Sequence, residues 1–328
     1  MAHLLDMTGG KANMAYVGEK PWHGLGQELS KGASIDQWRV EAGLNWEVYR
    51  AKVHFQPEGH PAFMPGESEI LYRSDTFSQL GIVTDRYKVV QPAEVMEFFR
   101  DVVGTGGMSL ETAGSLDGGK KVWALAKTGD SFSIKGQDHI EGYLLLSTSF
   151  DGSMATRAQF TSVRVVCNNT LQLAAQETKG AIKIPHSTDF DARGVKIDLG
   201  ILDNAFGHFE AQANALADRP LNNKEAMDLL LSIMEPKAFA AAQAGQDAEL
   251  STKRVNQIKR VFDLYQHAGM GSNLRSAHGT AWGMVNAITE YIDHESGHNA
   301  NNRFRSAQFG PGATLKTLAF DTALKLVA

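Results

Sequence analysis

The chain has 328 residues, of which 43% are hydrophobic and 21% are charged, the composition of an ordinary globular protein with one large domain or two. No apolar run approaches the roughly 20 residues of a membrane-spanning helix, so no membrane association is expected. Residues 1–24 lack the basic and apolar regions of a secretory signal. The single cysteine, Cys167, excludes an intrachain disulfide and is interpreted as a small buried hydrophobe. Together these features predict a cytoplasmic protein.

The net charge of −5 argues against a highly basic nucleic-acid coat protein. Acidic residues are concentrated in residues 186–250, which hold eleven acids and five bases, a balance of −6. The rest of the chain therefore carries +1, and a local basic groove remains compatible with the sequence.

Three regions are predicted along the chain. Residues 1–30 are glycine-rich and form an N-terminal arm. In this arm, Trp22 and His23 are interpreted as an oligomer anchor that docks on its own body or on a neighbouring subunit, with a ligand pair as the alternative. Residues 31–185 form an α+β core domain, and residues 186–328 form a helical region.

The α+β domain begins with a predicted helix over residues 36–42, because Ser34 and Gln37 have the spacing of a capping box. Alternating apolar residues predict the strands that follow, and Pro92 opens a second helix. The strands are predicted over residues 45–56, with a bulge near Ala51, and over 69–73 and 80–84; the second helix covers 93–103.

Two Asp-Gly turns, Asp117-Gly118 and Asp151-Gly152, predict two β-hairpins, because both central residues of such a turn can take a positive φ. The hairpins pair residues 108–116 with 120–127, and 140–150 with 154–166. A helix is predicted to start near Asn169. In the last strand, the odd-numbered residues are predicted to face the core and Arg164 to face away from it.

From about residue 199 the pattern is typical of amphipathic helices. They are predicted over residues 202–216, 222–234, 255–265, 281–294 and 313–328. The fold class is therefore α+β: an antiparallel, curved β-meander packed with helices, followed by a helical C-terminal region.

The sharpest formal motif is His294-Glu295-Ser296-Gly297-His298, the H-E-x-x-H pattern of zinc hydrolases. On a helix it places two histidines one turn apart on the metal. Gly297 predicts that the helix ends inside the motif, and no good third ligand follows. We therefore expect no metal at His294 and His298, and no cofactor anywhere. A zinc hydrolase is retained as a third hypothesis. The glycine-rich stretches fit no phosphate-binding pattern, and no serine-hydrolase motif is present.

Cations and aromatic residues occur together in the predicted sheet, which is typical of single-strand binding, where cations hold phosphates and aromatic faces stack on bases. The alternative is a solvated sheet face. The candidate nucleic-acid-binding residues are Arg86, Lys88, Lys120, Lys121, Phe150, Arg157, Phe160 and Arg164.

Several stretches resemble a phage- and plasmid-related family of unknown function, a domain-of-unknown-function family numbered 932. They include AYVGEKPWHGLGQEL, AGSLDGGKKVWALAK, DGSMATRAQFTSVRVVCNNTL and TAWGMVNAITEYIDH. The resemblance implies a mobile-element setting in a bacterial host cell. In layout, the family is similar to ring-forming single-strand annealing recombinases.

The first functional hypothesis is a non-enzymatic protein that binds and anneals single-stranded DNA for a phage or plasmid. It would act as a homo-oligomer, with a ring as one form. The alternative is a counter-defence protein that contacts host or phage proteins through the acidic surface of residues 186–250.

Overall fold

The computed structural model describes residues 5–8, 10–18, 24–105, 107–164, 169–172, 181–200, 205–246 and 249–328. The predicted anchor residues Trp22 and His23, and Cys167, lie outside the described residues. The α+β class is confirmed: strands dominate the first half of the chain and helices the second.

The strands are β1 Met7–Thr8, β2 Lys11–Ala12, β3 Met14–Tyr16, β4 Gln27–Glu28, β5 Val48–Phe55, β6 Met64–Arg73, β7 Gln79–Thr84, β8 Ser109–Leu116, β9 Lys121–Ile134, β10 Asp138–Ser149, β11 Thr156–Arg164, β12 Asn169–Gln172 and β13 Ala181–Ile184. The α-helices are α1 Ile35–Glu41, α2 Pro92–Thr105, α3 Ala192–Gly200, α4 Ala205–Asp218, α5 Asn223–Met234, α6 Pro236–Gln243, α7 Thr252–Asp263, α8 Ala281–Glu290, α9 Ala300–Phe309 and α10 Pro311–Leu324. Two π-helical turns, Leu264–Ala268 and Tyr291–Glu295, extend α7 and α8.

The main sheet has the strand order β12-β11-β10-β9-β8-β3-β4, and β13 also pairs with β11. Its centre is a meander of long antiparallel strands, in which both predicted hairpins form; the second has a longer connection than predicted, residues 150–155, around Asp151-Gly152. The N-terminal residues join this sheet, since β3 pairs antiparallel with β8. The described part of the predicted arm therefore packs on its own chain.

A separate three-stranded antiparallel sheet has the order β5-β6-β7. The bulge predicted near Ala51 lies slightly later, between Lys52 and His54. Before this sheet in the chain, α1 begins with the predicted capping box, in which Ser34 and Gln37 exchange side-chain and backbone hydrogen bonds.

Two predictions for the end of the central hairpin are wrong. Asn169 begins strand β12 and not a helix, because residues 169–172 pair antiparallel with β11. The face assignment is also reversed: the even-numbered Ala158 and Phe160 pack toward the core that contains α2. Period-two alternation fixes which residues share a face, but not which face a helix covers.

Two large cores lie on either side of the junction between the halves. The first packs α1 and α2 against the main sheet and the inner side of β5–β7. The second fills the helical region around α8, all ten residues of which are buried. Phe160 is half-buried and packs against both cores, so the two halves of the chain meet at the central strands.

Candidate functional site

The two hairpin turns lie side by side at one end of the main sheet. The backbone N–H of Phe150 donates to the carbonyl oxygen of Lys120 over 2.8 Å. Gly118 and Gly119 take φ values of +70° and +91°, which only glycine adopts without strain. The Asp-Gly-Gly sequence therefore positions Lys120 and Lys121 immediately after the first turn.

Lys121 joins the two turns through ion pairs. Its side chain is 9% exposed, and its Nζ lies 3.1 Å from Oδ2 of Asp151 and 3.8 Å from Oδ2 of Asp117. Burial alone would raise the pKa of Asp151, but hydrogen bonds from Ser153 and Lys121 outweigh it and hold that pKa below its usual range. Lys121 is thus a structural cross-link, which corrects its predicted role as a phosphate contact.

Phe150 cannot stack on a base, so its predicted role is wrong. It is fully buried and meets Trp46 edge to face, with ring centroids 5.8 Å apart. The strand β7 covers it from outside, since a Cβ at Gly81 would overlap the carbonyl oxygen of Phe150. The side chain ends in the core because Phe150 lies on the even-numbered, helix-covered face of the sheet.

The opposite, odd-numbered face of the sheet carries Arg157. It lies between Ser147 of β10 and Lys183 of β13 in the strand register. Its Nε is buried and has no hydrogen-bond partner among the residues that the structure describes. The predicted aromatic residues Phe150 and Phe160 are therefore separated by the sheet from Lys121 and Arg157. The side chain of Arg164 lies outside the described residues.

Arg86 and Lys88 are exposed in the loop that follows β7. Lys88 pairs with Asp189 at 3.2 Å, and its carbonyl oxygen lies 2.9 Å from Nδ1 of His186. The His186 ring stacks on Tyr87 with centroids 4.2 Å apart. Within the described part of the chain, Arg86 makes no ion pair, so it is the predicted cation in this loop that remains available to a ligand.

The β5–β7 sheet has an exposed apolar face that the sequence did not predict. Tyr49, Ile70, Tyr72 and Ile82 share this face in the strand register, and together they are called the tyrosine face. The rings of Tyr49 and Tyr72 meet edge to face at 5.9 Å, and Tyr49 is 44% exposed. A hydrogen bond and the charge of Glu47 raise the pKa of Tyr49. Phe77, in the β6–β7 turn, is 75% exposed.

On the other face of this sheet, the cationic side chains form ion pairs within the protein. Arg50 and Lys52 both pair with Glu69, at 2.6 Å and 2.9 Å. At the end of β6, Arg73 is buried, pairs with Asp6 and Asp75, and lies 4.4 Å from the ring centroid of Trp46.

The sequence signal for the tyrosine face was the apolar character of adjacent positions such as Ile82 and Val83, which gives β7 two apolar faces.

A cleft of about 850 Å³ opens beside the two hairpin turns, where they meet the junction of α9 and α10. This turn cleft is lined by Asp117, Lys120, Lys121, Asp151, Ser153, Met154, Asn302, Ser306, Phe309, Gly310 and Pro311. Its size lies within the range of small-ligand pockets.

A comparison with family models gives the affiliation of the chain. The model described as "Domain of unknown function (DUF932)" matches residues 79–313. The chain belongs to this family. No curated protein matches the chain. No solved structure matches it either. Every residue that lines the turn cleft lies within the part matched to DUF932, whereas Tyr49, Tyr72 and Phe77 precede it.

The H-E-x-x-H motif of this DUF932 member is not helical throughout. The helix ends at Glu295, as predicted: Ser296 is extended and Gly297 takes a φ of +95°. Glu295 forms a bidentate ion pair with Arg260, at 2.6 Å and 2.7 Å. Among the described residues, no group of three or more histidine, cysteine or acidic side chains is arranged to hold a metal ion. The described helices likewise include none long and apolar enough to cross a membrane.

Proposed function

We propose that this DUF932 protein binds single-stranded nucleic acid on the tyrosine face. The observation that carries the proposal is a pair of aromatic rings on neighbouring strands of a three-stranded sheet, the exposed Tyr49 and the half-buried Tyr72, with the exposed Phe77 at the adjoining turn. Aromatic platforms bind single strands because every base offers a π-face for stacking. This site replaces the predicted one at Phe150 and Phe160.

A cation for the phosphates is available near this face. Ile82 and Thr84 lie on β7, and the exposed Arg86 follows two residues after the end of this strand. By contrast, Arg50 and Lys52 lie on the other face of this sheet, where they share the carboxylate of Glu69. The expected mode of binding is therefore dominated by base stacking, with few phosphate contacts and a shallow dependence on salt.

Annealing of complementary strands, assembly into a homo-oligomer and a role in a phage or plasmid are further parts of this proposal. A protein that holds a strand by stacking and phosphate contacts needs neither metal nor cofactor. A native mass measurement with and without oligonucleotide tests assembly, and a strand-pairing assay tests annealing.

The competing acidic-surface hypothesis receives less support from the ion pairs of residues 186–250. Five of the acids in this segment have a basic partner, so much of their negative charge is neutralised. The pairs are Asp189–Lys88, Asp218–Lys135, Glu225–Arg219, Asp228–Lys224 and Glu235–Arg254.

The experiment is an anisotropy titration of a labelled single-stranded oligonucleotide at two salt concentrations. A Tyr49→Ala/Tyr72→Ala variant should bind at least about tenfold more weakly, since one stacked base contributes about 1–3 kcal/mol. Arg86→Ala should reduce the salt slope by about 0.7, while Lys253→Ala, an exposed lysine of α7, should leave it unchanged. Absence of wild-type binding at low salt would refute the proposal.

A further inference from the structure

The turn cleft is a second candidate site, separate from the tyrosine face. One wall is the pair of hairpin turns of the α+β half, and the other is the α9–α10 junction of the helical half. Both turns are fixed by internal bonds: Phe150 N–H donates to Lys120 O, and Ser153 N–H donates to Asp151 Oδ1 over 2.9 Å. The wall on that side is therefore preformed, as small-molecule sites usually are.

The two lysines and two aspartates that line the cleft sum to zero charge, and Lys120 is the one that forms no ion pair among the described residues. Lys121 lies between two carboxylates, with its Nζ 3.8 Å from Oδ2 of Asp117 and 3.1 Å from Oδ2 of Asp151. The neighbouring Lys120 is half-buried and, within the described part of the chain, has no acidic partner. An ammonium group held at a cleft wall without a counter-ion is a ready partner for a phosphate group.

The opposite wall adds a helix N-terminus and an apolar surface. Helix α10 is fourteen residues long, and its N-terminal residues Gly310 and Pro311 line the cleft; Gly310 supplies no side-chain cap. The dipole at such a terminus favours negative charge, in agreement with the charge of Lys120. Phe309 and Met154 provide an aromatic ring and a thioether against which a planar group can pack.

We propose that the turn cleft binds a nucleoside monophosphate, with the phosphate at Lys120 and the base against Phe309 and Met154. A carboxylate oxygen accepts more than one hydrogen bond, so Asp151 on the same wall can also accept one from a sugar hydroxyl. The cleft volume of about 850 Å³ accommodates a ligand of this size. Because the cleft lies entirely within residues 79–313, the site belongs to the part of the chain matched to DUF932.

The test is calorimetric titration of the full-length protein with adenosine monophosphate, adenosine and inorganic phosphate. The monophosphate should bind saturably in the millimolar range or tighter, and more tightly than either of its parts. Lys120→Met should weaken binding of the monophosphate at least about tenfold and leave binding of adenosine unchanged, because only the phosphate group contacts Lys120. Phe309→Leu should weaken binding of the monophosphate and of adenosine by similar factors. The melting temperature of each variant shows whether it is folded.

Three outcomes would overturn the proposal: no saturable binding of the monophosphate at millimolar concentration, inorganic phosphate binding as tightly as the monophosphate, or Lys120→Met binding like the wild type. Lys253→Met is the matched control, an exposed lysine far along the chain. A failure of the turn cleft to bind the monophosphate can be distinguished from a failure of the tyrosine face to bind single strands. The Tyr49→Ala/Tyr72→Ala variant should bind the monophosphate normally while losing the oligonucleotide.

Discussion

The hairpin-turn end of the main sheet and the tyrosine face of β5–β7 use similar residues in opposite ways. At the turn end, Phe150 meets Trp46 in the core and Lys121 is neutralised by two aspartates. On the tyrosine face, Tyr49 is 44% exposed and Ile82 is 57% exposed. The difference arises from the layer above each surface: β7 covers the end of β10, and nothing in the described chain covers the tyrosine face in the same way. Aromatic and cationic residues therefore indicate a binding surface only where no second layer packs on them.

The largest expected contrast is between two phenylalanines. Phe150→Ala should lower the free energy of unfolding by about 3–5 kcal/mol, because it empties a fully buried site next to Trp46. Phe77→Ala should change it by no more than about 0.5 kcal/mol, since Phe77 is 75% exposed. Urea unfolding of both variants measures the difference. Equal losses would contradict the assignment of one ring to the core and the other to a surface.

The next contrast is between two arginines. Arg73→Met should cost about 3–5 kcal/mol, because it leaves the buried carboxylate of Asp6 without its cation. Arg254→Met removes a pair in which Arg254 is 52% exposed and Glu235 is 20% exposed, and it should cost less, about 1 kcal/mol. The same unfolding experiment compares them. If Arg73→Met were as mild as Arg254→Met, the buried pairs of Arg73 would not stabilise the junction of the two sheets.

A finer contrast lies between two consecutive residues, Lys120 and Lys121. Lys121→Met should destabilise the protein by about 1–3 kcal/mol, because Asp117 and Asp151 lose a hydrogen-bonded cation that is 9% exposed. Lys120→Met should change the stability by no more than about 0.5 kcal/mol, because its ammonium has no partner among the described residues. Thermal unfolding of the two single variants decides the point. A reversed order would show that Lys120 carries the structural charge.

These contrasts also show what the sequence was able to predict. The Asp-Gly turns identified both hairpins, and the Ser34–Gln37 spacing identified the cap of α1, because turn and cap chemistry is local. The predicted helix at Asn169 failed because pairing with β11 outweighs the helix propensity of the segment.

The candidate site was harder to predict than the fold, for a physical reason. Alternation placed Phe150 and Phe160 on one face and Arg157 on the other, but it does not tell which face α2 covers. The exposure of Tyr49 and Ile82 depends on whether a second layer packs on this face of β5–β7, which is a property of the tertiary structure. Similarly, the turn cleft brings Lys120 together with Phe309, residues that only the folded chain brings close.

The smallest expected effect concerns pH and the bridge between the turns. Hydrogen bonds from Ser153 and Lys121 outweigh burial and hold the pKa of Asp151 below its ordinary value of 3.8. A carboxyl group with a lowered pKa in the folded state stabilises the fold above its unfolded pKa, and this contribution is lost as the pH falls through the folded pKa. The melting temperature should therefore fall less steeply below about pH 4 in Asp151→Asn than in the wild type.

Lys121 provides the control for this pH effect, because it supplies part of the interaction that lowers the pKa of Asp151. In a Lys121→Met background, replacing Asp151 with asparagine should have a smaller effect on how the melting temperature falls with pH than it has in the wild-type background. Calorimetric melting of the four proteins of this cycle, from pH 6 to pH 3, makes the comparison. An unchanged difference between the two backgrounds would mean that the turns are held by Ser153 alone and that Lys121, like Lys120, is available to a ligand of the cleft.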